Sequence, residues 1–373
     1  MLFRSRGTER GAGERAEASQ RIGLVGEVKD GRVEQVRADE RAVDVEEASW
    51  HDGLFVHGDP TVNAGRLARG PPSEFSTTVQ LAPPPPAEAE TSDRDLLALG
   101  ERSLTALERA QIRLVRATLR PGVPDRIVRR LQQSVGQWWI RGATASLRRV
   151  HGLDRLPRWD PSGSVVCVAN HRSFFDLYVT TAEMVAHGLP HRILFPVRST
   201  FFYDHPLGPL VNGVMSFFAM YPPIFRQRSR AALNLASLDE VAGLLRRGGF
   251  FVGMHPEGAR KKDDDPYTFL PPQTGVGRVI HKSRAPVVPV FVHGLGNDLL
   301  KQVAGGLLGT GTPIHIVFGA PIDFGPLLSE PGSPKTYRRL AAQCLSAIEK
   351  LGQEEKALRA AAGRAHPVEK RRG

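Results

Sequence analysis

From Ser164 onward, short apolar runs alternate with longer amphipathic stretches, and this alternation constrains the fold more than any other feature of the chain. The runs at 164–169, 192–197, 216–221, 249–255, 286–292 and 314–318 are short, rich in Val, Ile and Phe, and bounded by Gly, Pro or polar residues. That combination predicts strands. Helical spacing predicts helices over 174–187, 230–247, 277–283 and 335–351. Strands separated by helices imply an α/β fold, with a mainly parallel or mixed sheet flanked by helices. The longest apolar run, 209–225, is interrupted by Asn212, Gly213, Pro222 and Pro223. It suits a buried strand better than a membrane span, which needs about 20 apolar residues.

The rest of the chain divides around this body. Residues 1–95 are rich in Gly, Glu, Arg, Ala and Pro and contain Pro83-Pro84-Pro85-Pro86. Such a segment buries too little apolar surface to offset its chain entropy and is expected to be mostly disordered. Residues 96–150 predict two amphipathic helices, over 95–120 and 125–150. The second carries Trp138, Trp139 and arginines such as Arg126, Arg130 and Arg141. It can lie in a lipid interface or pack on the domain with its arginines in water. Residues 151–352 form the α/β domain, and 353–373 a polar helix end and basic tail.

Charge follows the same division. Residues 1–100 carry 12 Lys+Arg against 18 Asp+Glu, whereas 101–373 carry 38 against 21. A basic body favours anionic partners: phosphate groups, an anionic membrane face or nucleic acid. The last is disfavoured, because no helix-turn-helix, zinc-finger or aromatic RNA-binding motif accompanies the charge. Two cysteines, Cys167 and Cys344, indicate no disulfide framework. The first ten residues lack the apolar core of a signal peptide. The expectation is a peripheral or monotopic protein on the cytoplasmic side of a membrane.

Four blocks bear on the chemistry. Asn170-His171-Arg172-Ser173-Phe174-Phe175-Asp176 follows the first predicted strand and enters the first helix of the domain. On one straight helix His171 and Asp176 would stand about 140° apart. With His171 in the turn and Asp176 in the first helical turn, the chain can fold back and pair them. A carboxylate on one imidazole nitrogen fixes the tautomer and leaves the other as a base. The alternative is structural: Ser173-x-x-Asp176 also resembles a capping box, with His171 a plain turn residue.

His255-Pro256-Glu257-Gly258-Ala259-Arg260 leaves the carboxyl end of another predicted strand, where α/β sheets bind ligands. Gly258 permits close backbone approach and Arg260 offers a fork of donors suited to phosphate, or else pairs with Glu257 in a solvated loop. Phe225-Arg226 supplies a further phosphate candidate. Val288-Pro289-Val290 puts proline inside a strand, which implies an edge, a bulge or a bend.

In this order the blocks resemble those of the glycerolipid acyltransferases, the lysophosphatidic acid and glycerol-3-phosphate acyltransferase family. Asn-His-x4-Asp, Phe-Arg, Pro-Glu-Gly-Ala-Arg and Val-Pro-Val fall within about residues 150–324. Ala259 stands where the family usually has Thr, and Gln273 precedes Thr274-Gly275 where many members carry a lysine. The resemblance implies acyl transfer from acyl-CoA or acyl carrier protein to the hydroxyl of a lysophospholipid. The acceptor it favours is 1-acylglycerol 3-phosphate, giving phosphatidic acid. Glycerol 3-phosphate or another lyso-lipid, such as a lyso-ornithine lipid, is the alternative acceptor; an inactive membrane-surface protein of the same fold is the alternative function.

His171 would be general base, Asp176 its partner, and Arg226, Glu257, Gly258 and Arg260 the substrate contacts (Glu257 contacting substrate hydroxyls or ordering its own block), with Pro289 bounding the acyl-donor groove. No bound cofactor and no metal are implied. His-Glu-x-x-His, Cys-x-x-Cys and Gly-x-Ser-x-Gly motifs are all absent.

Overall fold

The computed structural model describes residues 95–225, 227–296 and 298–365. The expected disorder of 1–94, the basic tail from 366 and the side chain of Arg226 lie outside them.

Seven strands form one sheet: β1 (Arg148–His151), β2 (Val165–Ala169), β3 (Arg192–Arg198), β4 (Met220–Ile224), β5 (Phe250–Met254), β6 (Val287–His293) and β7 (Ile314–Phe318). Their order is β1-β7-β6-β2-β5-β3-β4. Every neighbouring pair is parallel except β6 and β7, so the sheet is mixed. The middle strands β2 and β5 are buried along their whole length. Parallel strands covered on both faces need apolar residues at every position, which is why they read as unbroken runs. β2 and β5 pair from Val165↔Phe251 to Val168↔Met254. This register brings their carboxyl ends, and the two blocks that follow them, side by side.

Helices α1 (Leu96–Leu99), α2 (Ala106–Leu119), α3 (Val123–Gln133) and α4 (Val135–Thr144) precede the sheet. They pack on it as well as meeting water: Ile112, Val115, Leu119 and Ile140 are buried, whereas Ile127, Val135 and Trp138 are exposed. Gln132 of α3 replaces a strand partner for β3, accepting from Ile193 N at 2.9 Å and donating to Ile193 O at 3.0 Å. The single helix expected over 125–150 is broken twice. Ser134 adopts a non-helical conformation between α3 and α4, and Arg148–His151 becomes the edge strand β1 on β7.

The run 209–225 also differs from expectation. It forms helix α7 (Gly208–Ser216) and then β4, instead of one strand centred on 216–221. Pro209 sits in the first turn of that helix, where its missing N–H costs nothing. Phe217 and Phe218 both take left-handed backbone, which ends the helix, and Asn212 then bonds both backbone groups of Met220. The remaining helices are α5 (Asp176–Ala186), α6 (Ser199–Phe202), α8 (Ala231–Arg247), α9 (Thr274–Ser283), α10 (Leu299–Leu308) and α11 (Pro334–Ala365). The last runs 32 residues and takes in the polar helix end expected from 353.

Pro289 corrects another expectation. It lies in β6, an interior strand between β7 and β2, and is buried. β7 ends at Phe318, and Pro289 O accepts from Gly319 N at 2.9 Å, just beyond the β6–β7 ladder. The missing N–H therefore falls where the ladder stops. A Cβ on Gly319 would come within 2.8 Å of the proline ring, so Pro289 is closely packed on that side.

Candidate active site

The turn after β2 is built by its own polar side chains. Asn170, fully buried, acts as an extra strand residue for β6: its amide donates to Val292 O and accepts from Val292 N, both at 2.8 Å. Ser173 Oγ donates to Gly296 O at 2.6 Å. Asp176, the first residue of α5, folds back, and its Oδ2 accepts from Arg172 N at 2.8 Å and Ser173 N at 2.7 Å. Between them stands His171, with Nδ1 3.6 Å from Asp176 Oδ2. Asp176 therefore ties the turn, and it lies just outside hydrogen-bond distance of the imidazole.

His255 and Glu257, leaving β5, hold His171 from the other side. The His255 ring stacks on that of His171 with centroids 3.8 Å apart and planes 8° from parallel. Its Nδ1 lies 2.9 Å from Ala169 O. A carbonyl only accepts, so Nδ1 carries the proton. Glu257 is 2% exposed, and both its oxygens accept from backbone: Oε1 from His171 N and Oε2 from Leu270 N, each at 2.8 Å. These two bonds tie the His171 turn to the following loop. Gly258 adopts φ +66°, and a Cβ there would meet Gln273 Cγ at 2.8 Å, so a side chain is excluded twice over.

The electrostatics follow from burial. Desolvation, with the nearby Arg260 charge adding to it, pulls the His171 imidazole down to about 4. Desolvation pushes the Asp176 carboxyl up to about 6, against the opposing pull of His255 and the turn N–H groups. At neutral pH His171 is therefore an unprotonated base beside a carboxylate. Burial also raises the Glu257 carboxyl above its ordinary value.

A cleft of about 560 Å³ opens beside Asp176, lined also by Arg172, Arg260, Lys261, Lys262 and residues 292–296 at the end of β6 and just beyond it, among others. Arg260 thus reaches the same cleft as Asp176, as the sequence implied. Arg172 has a task that the sequence did not show: its guanidinium bonds Asp263, the Asp265 carbonyl and Thr268 O, the last at 2.6 Å. It straps the 263–268 loop to the His171 turn. The stacking of His255 on His171 is likewise not visible in the sequence, where His255 stands directly before Pro-Glu-Gly.

Among the described residues no group of three or more His, Cys, Asp or Glu side chains could hold a metal ion. No described helix is long and apolar enough to cross a membrane.

Comparison with known proteins adds the following. No curated protein matches the chain. Among solved structures, the chain is similar to the 1-acyl-sn-glycerophosphate (LPA) acyltransferase PlsC from Thermotoga maritima. Identity is 17% and the TM-score 0.41, over 69% of this chain and 92% of that one. Residues 147–293 match the model of the family described as Acyltransferase. That span runs from the residue before β1 to the end of β6 and carries the His171 turn and the Glu257 block together.

Proposed function

We propose that the enzyme moves a fatty acyl group from acyl-CoA or acyl carrier protein to the free hydroxyl of 1-acylglycerol 3-phosphate, giving phosphatidic acid. The observation that carries the reading is the neutral His171 beside Asp176, a residue that lines a cleft together with Arg260, Lys261 and Lys262.

In this scheme the acceptor hydroxyl gives its proton to His171 Nε2 as its oxygen attacks the thioester carbonyl carbon. Asp176 faces Nδ1 and stabilises the imidazolium that results. The tetrahedral intermediate collapses, the carbon–sulfur bond breaks, and the leaving thiolate takes the proton back from His171. Ester and free thiol are the products, and no acyl-enzyme forms. General-base help of this kind contributes roughly 10²–10⁴ in rate. The cationic side chains of the cleft would grip the phosphate by charge-assisted hydrogen bonds. Asp263 and Asp264 share the cleft, which keeps a second acceptor in play: a lyso-lipid whose head also bears an ammonium, such as a lyso-ornithine lipid.

The same reading places the enzyme on an anionic membrane surface. Exposed apolar side chains stand on three adjoining helices: Trp138 of α4, Leu307 and Leu308 of α10, and Leu210 and Val214 of α7. Gly306 of α10 lies against the Ala143 backbone of α4, and Gly136 of α4 against Phe217 at the end of α7. Arg126 and Arg130 of α3 and Arg141 of α4 are exposed as well, the composition expected of an interfacial surface.

The test incubates purified protein with labelled oleoyl-CoA and a panel of 1-acylglycerol 3-phosphate, glycerol 3-phosphate, lysophosphatidylethanolamine and a lyso-ornithine lipid. Labelled product with the phosphate monoester alone supports the proposal. Product only with a zwitterionic acceptor moves the assignment to the second reading. No product with any acceptor, in the presence of anionic vesicles and with either acyl-CoA or acyl carrier protein, refutes both.

A further inference from the structure

Two neighbouring residues of one turn hold His171 in different ways. Glu257 grips its backbone, while His255 covers the face of its ring. The covering ring is itself fixed. It follows the buried end of β5, its Nδ1–H is spent on Ala169 O, and the next residue, Pro256, accepts from Gln273 N at 2.8 Å. An imidazole in a plain structural role needs its hydrogen bonds satisfied. It does not need to lie 8° from parallel at 3.8 Å on another imidazole.

We propose that His255 is a positioning residue for acyl transfer, its neutral ring stacked on His171 to fix the plane of the base and to present a π face to the imidazolium formed when that base takes the acceptor's proton. The proposal rests on the reading of His171 as general base.

The physical reason is an asymmetry between the two states of His171. Neutral on neutral, the stack contributes packing and fixes orientation. Once His171 is cationic, the face of the neutral ring beneath it attracts the charge. Stabilisation that grows as the proton arrives accelerates the proton transfer itself. The device works only while His255 stays neutral, since two stacked cations would repel. Burial, with the neighbouring His171 adding like-charge repulsion, draws the His255 imidazole down to about 3. The charged groups facing the pair are few: Asp176 opposite Nδ1 of His171, Arg260 acting on both His171 and Asp176, and Glu257 at the backbone of His171. Asp176 and Arg260 oppose one another, so the aromatic face is the neighbour that favours protonation without adding a charge.

The test compares His255→Phe, which keeps a flat π face, with His255→Leu and His255→Met, which fill similar space without one. The readouts are kcat and KM for both substrates, the acid limb of kcat/KM, and thermal midpoints. The aliphatic variants are expected to lose about five- to tenfold in kcat, with KM within about twofold and the acid limb moved to lower pH. His255→Phe is expected to keep kcat within about threefold, with the acid limb unmoved or moved to higher pH.

Equal losses in Phe, Leu and Met with an unmoved acid limb would mean that His255 only fills space, and would overturn the proposal. Wild-type kinetics in Leu would overturn it too. Should neither aliphatic variant fold, NMR titration of His171 in His255→Phe against wild type decides: a lower titration point in the Phe variant overturns the proposal. His171→Ala is run alongside. Activity retained there removes the general-base reading itself. Activity lost there, with His255→Leu behaving as wild type, removes the stacking proposal alone.

Discussion

Glu257 offers the sharpest test of how the site is held, because its carboxylate works entirely through backbone. Its two oxygens accept from His171 N and Leu270 N, each at 2.8 Å, and the side chain is 2% exposed. A hydrogen bond to a charged acceptor contributes about 1.5–3 kcal/mol, so Glu257→Ala removes about 3–6 kcal/mol of favourable interaction and strands two buried donors. Relief of the desolvation that raises the Glu257 carboxyl offsets part of this, leaving a net cost of about 2–4 kcal/mol. For a domain of this size each kcal/mol lowers the thermal midpoint by about 2–4 °C, so a fall of at least about 5 °C is expected. Glu257→Gln keeps one acceptor but turns an NH₂ toward the other donor, and should lose about half as much stability.

Activity should fall further than stability, because releasing His171 N moves the base, and small misplacements at a reacting centre cost about 10²-fold. Differential scanning calorimetry and acyl transfer under saturating substrates, well below the midpoint, measure the two effects separately. A Glu257→Ala protein with the wild-type midpoint would refute the clamp. A normal midpoint and normal KM with a lost kcat would point instead to a direct role in the chemistry.

Three other outcomes follow from the same geometry. Activity should hold from neutral pH down to about 6 and decline between about 6 and 4, as the coupled Asp176–His171 pair takes a proton; a kcat/KM profile with an acid limb above 6.5 would contradict this. Arg172→Ala frees the 263–268 loop, so trypsin should cut after Lys261 or Lys262 at least about tenfold faster and KM for the acceptor should rise, which limited proteolysis and steady-state kinetics check. Tyr267→Phe removes the 2.6 Å bond to the fully buried Glu355 of α11 and should cost about 1–3 kcal/mol, read as a lowered denaturant midpoint.

Much of the fold could be read from the sequence where burial on both faces left one pattern. β7 falls on 314–318 as expected, and β2, β3, β5 and β6 agree within a residue at each end. The reading failed where local chemistry overrode hydrophobicity. Apolar content alone could not separate α7 from β4, because the boundary is set by the left-handed Phe217 and Phe218. Pro289 read as a sign of an edge, a bulge or a bend, and it lies in an interior strand whose antiparallel partner β7 ends just where the proline lacks its donor. In the site, the turn between β2 and α5 could be foreseen because it is local. The His255–His171 stack and the two backbone bonds of Glu257 could not, because they depend on the β2–β5 register, 86 residues apart for Glu257 and His171. Arg172 looked like an ordinary neighbour of the histidine, and its strap role exists only once the 263–268 loop is folded against it.

The account stands most directly on the imidazole of His171, and one comparison addresses it: initial rates of thiol release from acyl-CoA, with and without 1-acylglycerol 3-phosphate, for wild type and His171→Gln. The account predicts acceptor-dependent release by the wild type and a loss of at least about 100-fold in kcat for the variant, with its thermal midpoint preserved. A His171→Gln protein that still transfers the acyl group at a rate near wild type would contradict it.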